Sequence, residues 1–170
     1  SRDTNDSTAG DRVKIYVDGD RITSFSSSSD PSSGATGYWN QTTLANVVGN
    51  TGNGSYIRGI GYLAEVNMVD GTALDPSVFG ETDTSTGRWV PKAITGVTYG
   101  TNGFRMAFGS PSAIGDDTSG NNNDFSVNDL VASDLTTDSP TQNHCIMDPN
   151  DETGSITMSE GNLKITQGGA

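Results

Sequence analysis

The segment Asp116-Asp117-Thr118-Ser119-Gly120-Asn121-Asn122-Asn123-Asp124 is the densest run of oxygen-bearing side chains in this sequence. Carboxylate, amide and hydroxyl oxygens around a mid-loop glycine are what a hard cation such as Ca²⁺ takes from a flexible loop. Asp116, Asp117, Ser119, Asn121, Asn123 and Asp124 are therefore the candidate metal ligands, and Ca²⁺ is the only cofactor suggested. No glutamate closes the loop where a bidentate ligand belongs. Asx side chains also bond their own backbone in turns without any metal, and that structural turn is the default reading.

Other chemistry is thinner. A retaining glycosidase needs two carboxylates about 5 Å apart, projecting from one face. Glu65 has Leu63 and Asn67 as its same-face neighbours, so it stands alone on its predicted strand. A polar strand residue bonded to a nearby loop is the expectation, and catalysis is not. His144 and Cys145 are adjacent, which on an extended strand points them to opposite faces and prevents a thiol–imidazole pair. His144 is the only histidine and Cys145 the only cysteine. A His cluster, an intrachain disulfide and a multi-cysteine metal site are thereby excluded. Cys145 is either an inert buried thiol, the default, or an interchain partner. Tyr38, Trp39, Tyr56, Trp89 and Tyr99 offer flat rings that match the apolar faces of sugars. Tyr38, Trp39 and Tyr56 are the carbohydrate-contact candidates. Trp89 precedes Val90-Pro91 and is expected to anchor a crossover to the core, and packing is the default for every one of these rings.

Composition narrows the partners. Of 170 residues, 22 are glycine and only 31% are hydrophobic, so the apolar residues must alternate along strands while long loops absorb the polar excess. A net charge of −12 repels phosphate backbones and anionic lipid, which argues against nucleic acid and membrane insertion. No apolar run reaches membrane-spanning length and none resembles a signal-peptide core.

The elements that must position these residues are short. Val13, Ile15 and Val17 alternate with Lys14 and Tyr16, predicting a strand with one buried face. Asp18-Gly19 then makes a hairpin turn to a return strand bearing Ile22 and Phe25. A Ser/Gly/Asp/Pro loop spans 26–37, a short strand covers 44–49, and a longer one runs from Tyr56 to Val69 with Tyr62, Ala64, Val66 and Met68 on the core face. Asp75-Pro76-Ser77-Val78-Phe79-Gly80 predicts one helical turn, capped by Asp75 and stopped by Gly80. Phe104, Met106 and Phe108 share a strand face, Phe125-Ser126-Val127 follows the Asx loop, and residues 156–165 form a hairpin around Glu160-Gly161. Nothing longer than the single turn reads as helix.

The order of these segments resembles known proteins. Val13-Lys14-Ile15-Tyr16-Val17-Asp18-Gly19, Val47-Val48-Gly49-Asn50 and Gly59-Ile60-Gly61-Tyr62-Leu63-Ala64-Glu65-Val66 resemble the second half of concanavalin A-like, laminin-G-like domains. Val69 to Glu81, Gly87-Arg88-Trp89-Val90-Pro91-Lys92, Tyr99-Gly100-Thr101-Asn102-Gly103-Phe104 and Asp138-Ser139-Pro140-Thr141-Gln142-Asn143 look like a set found in tailed-phage virion proteins. The resemblance spans roughly residues 11–145 and departs from the Glu-X-Asp-X-X-Glu pattern of glucanases that share the sandwich. It implies an all-β, antiparallel jelly-roll sandwich, incomplete because the family's opening strands would precede Ser1. Residues 1–10 are expected to be a surface loop or frayed terminus, 11–137 the sandwich, and 138–170 a linker and the start of a following β element. The function implied is non-enzymatic: a tail-fibre or other virion-surface protein, oligomeric, contacting other virion chains or copies of itself and, through its aromatics, host-surface glycans. A stand-alone carbohydrate-binding module is the alternative, followed by a glucanase-like hydrolase.

Overall fold

The computed structural model describes residues 1–37, 46–49, 61–136, 156–159 and 164–167. Among them lie eight strands of three or four residues, paired as four antiparallel ribbons. Strand β1 (Ile15–Val17) pairs with β2 (Asp20–Ile22), β3 (Val66–Met68) with β6 (Phe104–Met106), β4 (Gly80–Thr82) with β5 (Trp89–Pro91), and β7 (Ile156–Ser159) with β8 (Lys164–Gln167). The helical content of the described residues is three single 3-10 turns, at Ala9–Asp11, Pro76–Val78 and Ala132–Asp134. The described chain is thus sheet-rich and non-helical. No helix among the described residues is long and apolar enough to cross a membrane.

The first hairpin forms where its turn chemistry places it. Asp18 (φ 51°) and Gly19 (φ 84°) both take positive φ, the requirement of a type I′ turn, and Ile15 lies opposite Ile22. Its buried face is not where alternation puts it. Val13, Ile15 and Val17 are 42%, 50% and 55% exposed. The opposite face carries Lys14, Tyr16 and Arg21, and its charged groups find partners in the segment before the hairpin. Arg21 Nη2 reaches Asp11 Oδ1 at 2.6 Å and the Gly10 carbonyl at 2.9 Å, while Lys14 Nζ lies 3.9 Å from Asp6. The Ser1 ammonium donates to the Lys14 carbonyl and the Lys14 N–H returns a bond to the Ser1 carbonyl. Residues 1–10 are therefore tied to β1, and the apolar stripe is left facing outward.

The core gathers around the β3–β6 ribbon. Val66 pairs with Met106 and Met68 with Phe104, so these four share one face, as the alternation of 62–68 predicts for Val66 and Met68. Phe104, Met106, Tyr99 and Ile114 are the buried hydrophobics among the described residues. Phe125 meets Phe104 edge-on, with ring centroids 4.8 Å apart at 68°. Pairing starts only at Val66: Glu65 takes φ 52°, which breaks the extended chain, and Tyr62 and Leu63 before it are 70% and 57% exposed. Phe108 leaves the shared face for the same reason, at φ 51° and half-buried. The strand expected at 44–49 is not formed over 46–49, and Phe125–Val127 is unpaired loop; residues 44–45 and 50–60 lie outside the described residues.

The turn at Pro76–Val78 is capped as expected, with Asp75 Oδ1 accepting the Ser77 N–H at 3.0 Å. Gly80 has a different duty from the predicted stop. Phe79 closes the turn, while Gly80 opens β4 and is buried under the indole of Trp89. A Cβ on Gly80 would come within 2.6 Å of Trp89 Cε2, and one on Gly19 would meet the same ring at Cε3. Trp89 thus packs the β1–β2 turn onto the β4–β5 ribbon; it is half-buried and joins two hairpins, where its sequence context predicts an anchor from a crossover to the core. The hairpin predicted for 156–165 is present as β7–β8, with Met158 opposite Ile165.

Candidate functional site

The Asx loop closes onto the β3–β6 ribbon, and Asp117 is its centre. Gly115 makes the approach possible, since a Cβ there would strike the Phe125 carbonyl; the Phe125 N–H in turn donates to the Gly115 carbonyl at 2.8 Å. Asp117 forms an isolated bridge with Met106 and is itself buried. Its Oδ1 accepts the N–H groups of Arg105 and Ser119, both at 2.8 Å. Its Oδ2 accepts the Ser119 hydroxyl at 2.9 Å and the Asn123 N–H at 3.0 Å. Burial alone pushes the Asp117 carboxyl up, but these donors outweigh it and hold the group below the usual carboxylate range. Asp124 Oδ1 completes the closure by accepting the Asp117 N–H at 2.9 Å.

The two asparagines turn their amide nitrogens inward. Asn121 Nδ2 donates to the carbonyls of Gly100 (2.6 Å) and Gly103 (2.9 Å), and Asn123 Nδ2 to those of Thr101 (3.1 Å) and Gly103 (2.9 Å). The loop therefore clamps the turn at residues 99–103. Asp70 holds the same turn from the other side: its Oδ2 accepts both the Asn102 N–H (3.2 Å) and Asn102 Nδ2 (2.8 Å), and its N–H donates to the Tyr99 carbonyl. Gly103 is buried and must be glycine, because a Cβ would collide with the Tyr99 carbonyl and crowd that of Met68.

On the other face of the ribbon, Glu65 is bound by Arg105 in a bidentate pair, Nε to Oε2 and Nη2 to Oε1, both 2.9 Å. The carboxylate raises the Arg105 pKa further above its ordinary value. Tyr99 Oη donates to Asn67 Oδ1 at 2.6 Å, and burial pushes its phenol up against a smaller opposing pull from Arg105. The polar side chains around the ribbon so form one knot tying residues 65–70, 99–106 and 115–125 together.

Of the residues nominated from sequence, Asp117, Ser119, Asn121, Asn123 and Asp124 converge here, and Asp116 is exposed beside them. The carboxylate oxygens of Asp117 accept donors from Ser119 and Asn123 within the loop and the Arg105 N–H outside it. Among the described residues no group of three or more His, Cys, Asp or Glu is placed to hold a metal ion. Glu65 bonds a strand neighbour rather than a loop, through Arg105. Tyr38, Trp39 and Tyr56, like His144 and Cys145, lie outside the described residues. Residue type and spacing do not single out Asp70, Tyr99 and Arg105 for this role; the Asn102-Gly103 turn dipeptide is the one available signal for the clamped turn. A second feature is a polar cleft of about 380 Å³ between the two hairpins, lined by Asp18, Asp20, Thr82, Arg88 and Trp89. Comparison of the chain with family models, with curated proteins and with solved structures found no match.

Proposed function

We propose that this chain is a non-catalytic β-rich component of a multi-chain assembly, a tail-fibre or other virion-surface protein of a tailed phage. In this reading the ribbons belong to an antiparallel jelly-roll sandwich of the concanavalin A-like, laminin-G-like type. The observation that carries it is the apolar stripe Val13, Ile15 and Val17, turned outward along β1 and the residues just before it at 42–55% exposure. Contiguous apolar surface of this kind on a strand is the mark of a face that another chain covers. The sandwich is supported by the β3–β6 ribbon, which pairs residues some forty positions apart as Greek-key connections do. The phage placement rests on the order of the motifs from Val69 through Asn143. The polar knot supports this reading as a device that fixes loops: its carboxylates Glu65, Asp70, Asp117 and Asp124 each accept protein donors.

Mass spectrometry of purified particles of a phage encoding this chain tests the reading. Peptides from residues 12–21 and 89–105 recovered at multiple copies per particle support it. Their confinement to infected-cell lysate, with none in particles, overturns it.

A further inference from the structure

The turn at residues 99–103 contains Asn102-Gly103, the dipeptide most prone to spontaneous deamidation because glycine leaves the following amide nitrogen unhindered. The reaction is intramolecular. The Gly103 nitrogen attacks Asn102 Cγ and forms a C–N bond, Cγ–Nδ2 breaks, and ammonia leaves with the proton of the Gly103 amide. Water then opens the resulting succinimide to Asp or isoAsp. No cofactor or oxidant is needed, and solvent supplies the water.

Both partners in that reaction are held in the folded chain. Asn102 is exposed, yet its Nδ2 and its N–H both donate to Asp70 Oδ2, at 2.8 and 3.2 Å. Gly103 is buried against the Tyr99 and Met68 carbonyls, and its own carbonyl accepts from Asn121 and Asn123, each at 2.9 Å. Ring closure requires the Asn102 side chain to leave Asp70 Oδ2 and the Asn102–Gly103 peptide to rotate so that its nitrogen faces Cγ, while Asn121 and Asn123 hold the next peptide along through the Gly103 carbonyl. Either product is incompatible with the knot. The aspartate form sets a second carboxylate against Asp70, and the isoAsp form adds a methylene to the main chain beside a glycine with no room for a Cβ.

We infer that Asn102 is a latent modification site, guarded by Asp70 and the Asn121/Asn123 clamp, whose deamidation irreversibly opens the polar knot. Reaction then proceeds only from the locally opened turn, so its rate is the intrinsic rate multiplied by the open fraction.

The test is peptide mapping by mass spectrometry of the full chain incubated at mildly alkaline pH, following the mass increase at Asn102. Folded wild-type protein is expected to deamidate there at least about tenfold more slowly than the same protein in denaturant, as loss of a charge-assisted hydrogen bond implies. Asp70→Ser, checked as folded by circular dichroism, is expected to lose most of that protection, and Asp70→Asn, which keeps an acceptor oxygen, to recover part of it. Equal rates in folded and denatured wild type would overturn the inference, as would full protection in Asp70→Ser. Should Asp70→Ser not fold, Asn102→Asp provides the second arm: a melting temperature unchanged from wild type would show that the modified turn is tolerated and would equally overturn it.

Discussion

At the scale of single residues, Asp117 combines burial with four accepted hydrogen bonds, so its charge is both costly to desolvate and well compensated. Asp117→Ala leaves the N–H groups of Arg105, Ser119 and Asn123 without that acceptor and is expected to cost about 2–3 kcal/mol in urea denaturation. The pH dependence has a definite sign. A carboxyl whose folded pKa is depressed contributes stability that is complete above its unfolded value, about 3.9, and is lost as pH falls through the lower folded value. The gap between wild type and Asp117→Ala should therefore be constant near neutrality and close below about pH 4. Tyr99 behaves oppositely. Its raised pKa favours the neutral phenol in the fold, so its contribution is complete below about pH 10 and is lost as pH rises through the folded value. In a spectroscopic alkaline titration Tyr99→Phe should remove amplitude from the late, high-pH end of the curve; loss of amplitude at the early end instead would contradict the assignment.

At the scale of elements, Trp89 joins two ribbons that make no backbone bonds to each other among the described residues. Gly80→Ala drives a methyl into the indole, and Gly19→Ala adds a positive-φ penalty at φ 84° to the same clash. Each is expected to cost more than about 1 kcal/mol by urea denaturation, and Trp89→Ala about 2 kcal/mol, less than for a fully buried ring. The double variant Gly80→Ala/Trp89→Ala should lose little more than Trp89→Ala alone, because the clash disappears with the ring. Elements with local causes could be read in the chain: the Asp18-Gly19 turn, the Asp75-Pro76 cap and the β7–β8 hairpin each depend on a few adjacent residues. Face selection could not. The same alternation marks Val13-Ile15-Val17 and Val66-Met68, and only tertiary partners decide that the second stripe is inward and the first outward. Nor does spacing predict that Glu65 and Phe108 adopt positive φ and end their strands. In the Asx loop the residue types are visible in advance, but the destination of their amides, the carbonyls of residues 100–103, depends on a fold-back of about twenty residues.

At the scale of the whole molecule, an outward apolar stripe and a net charge of −12 oppose one another. Burying Ile15 and Val17 against a second copy gains from removal of apolar area, whereas bringing two polyanions together costs long-range repulsion. Screening separates the two, since the Debye length falls from about 10 Å at 0.1 M salt to about 3 Å at 1 M, while the apolar gain is not weakened. Self-association measured by sedimentation velocity should therefore strengthen with sodium chloride, opposite to the behaviour of an interface held by ion pairs. Ile15→Thr/Val17→Thr keeps the β-branched shape that suits a strand and removes the apolar gain, so the variant should remain folded and monomeric at every salt concentration. A wild-type chain that stays monomeric throughout would exclude a second copy as the cover of this stripe and leave a different chain as the proposed partner. Association that weakens with salt would assign the contact to the charged surface instead.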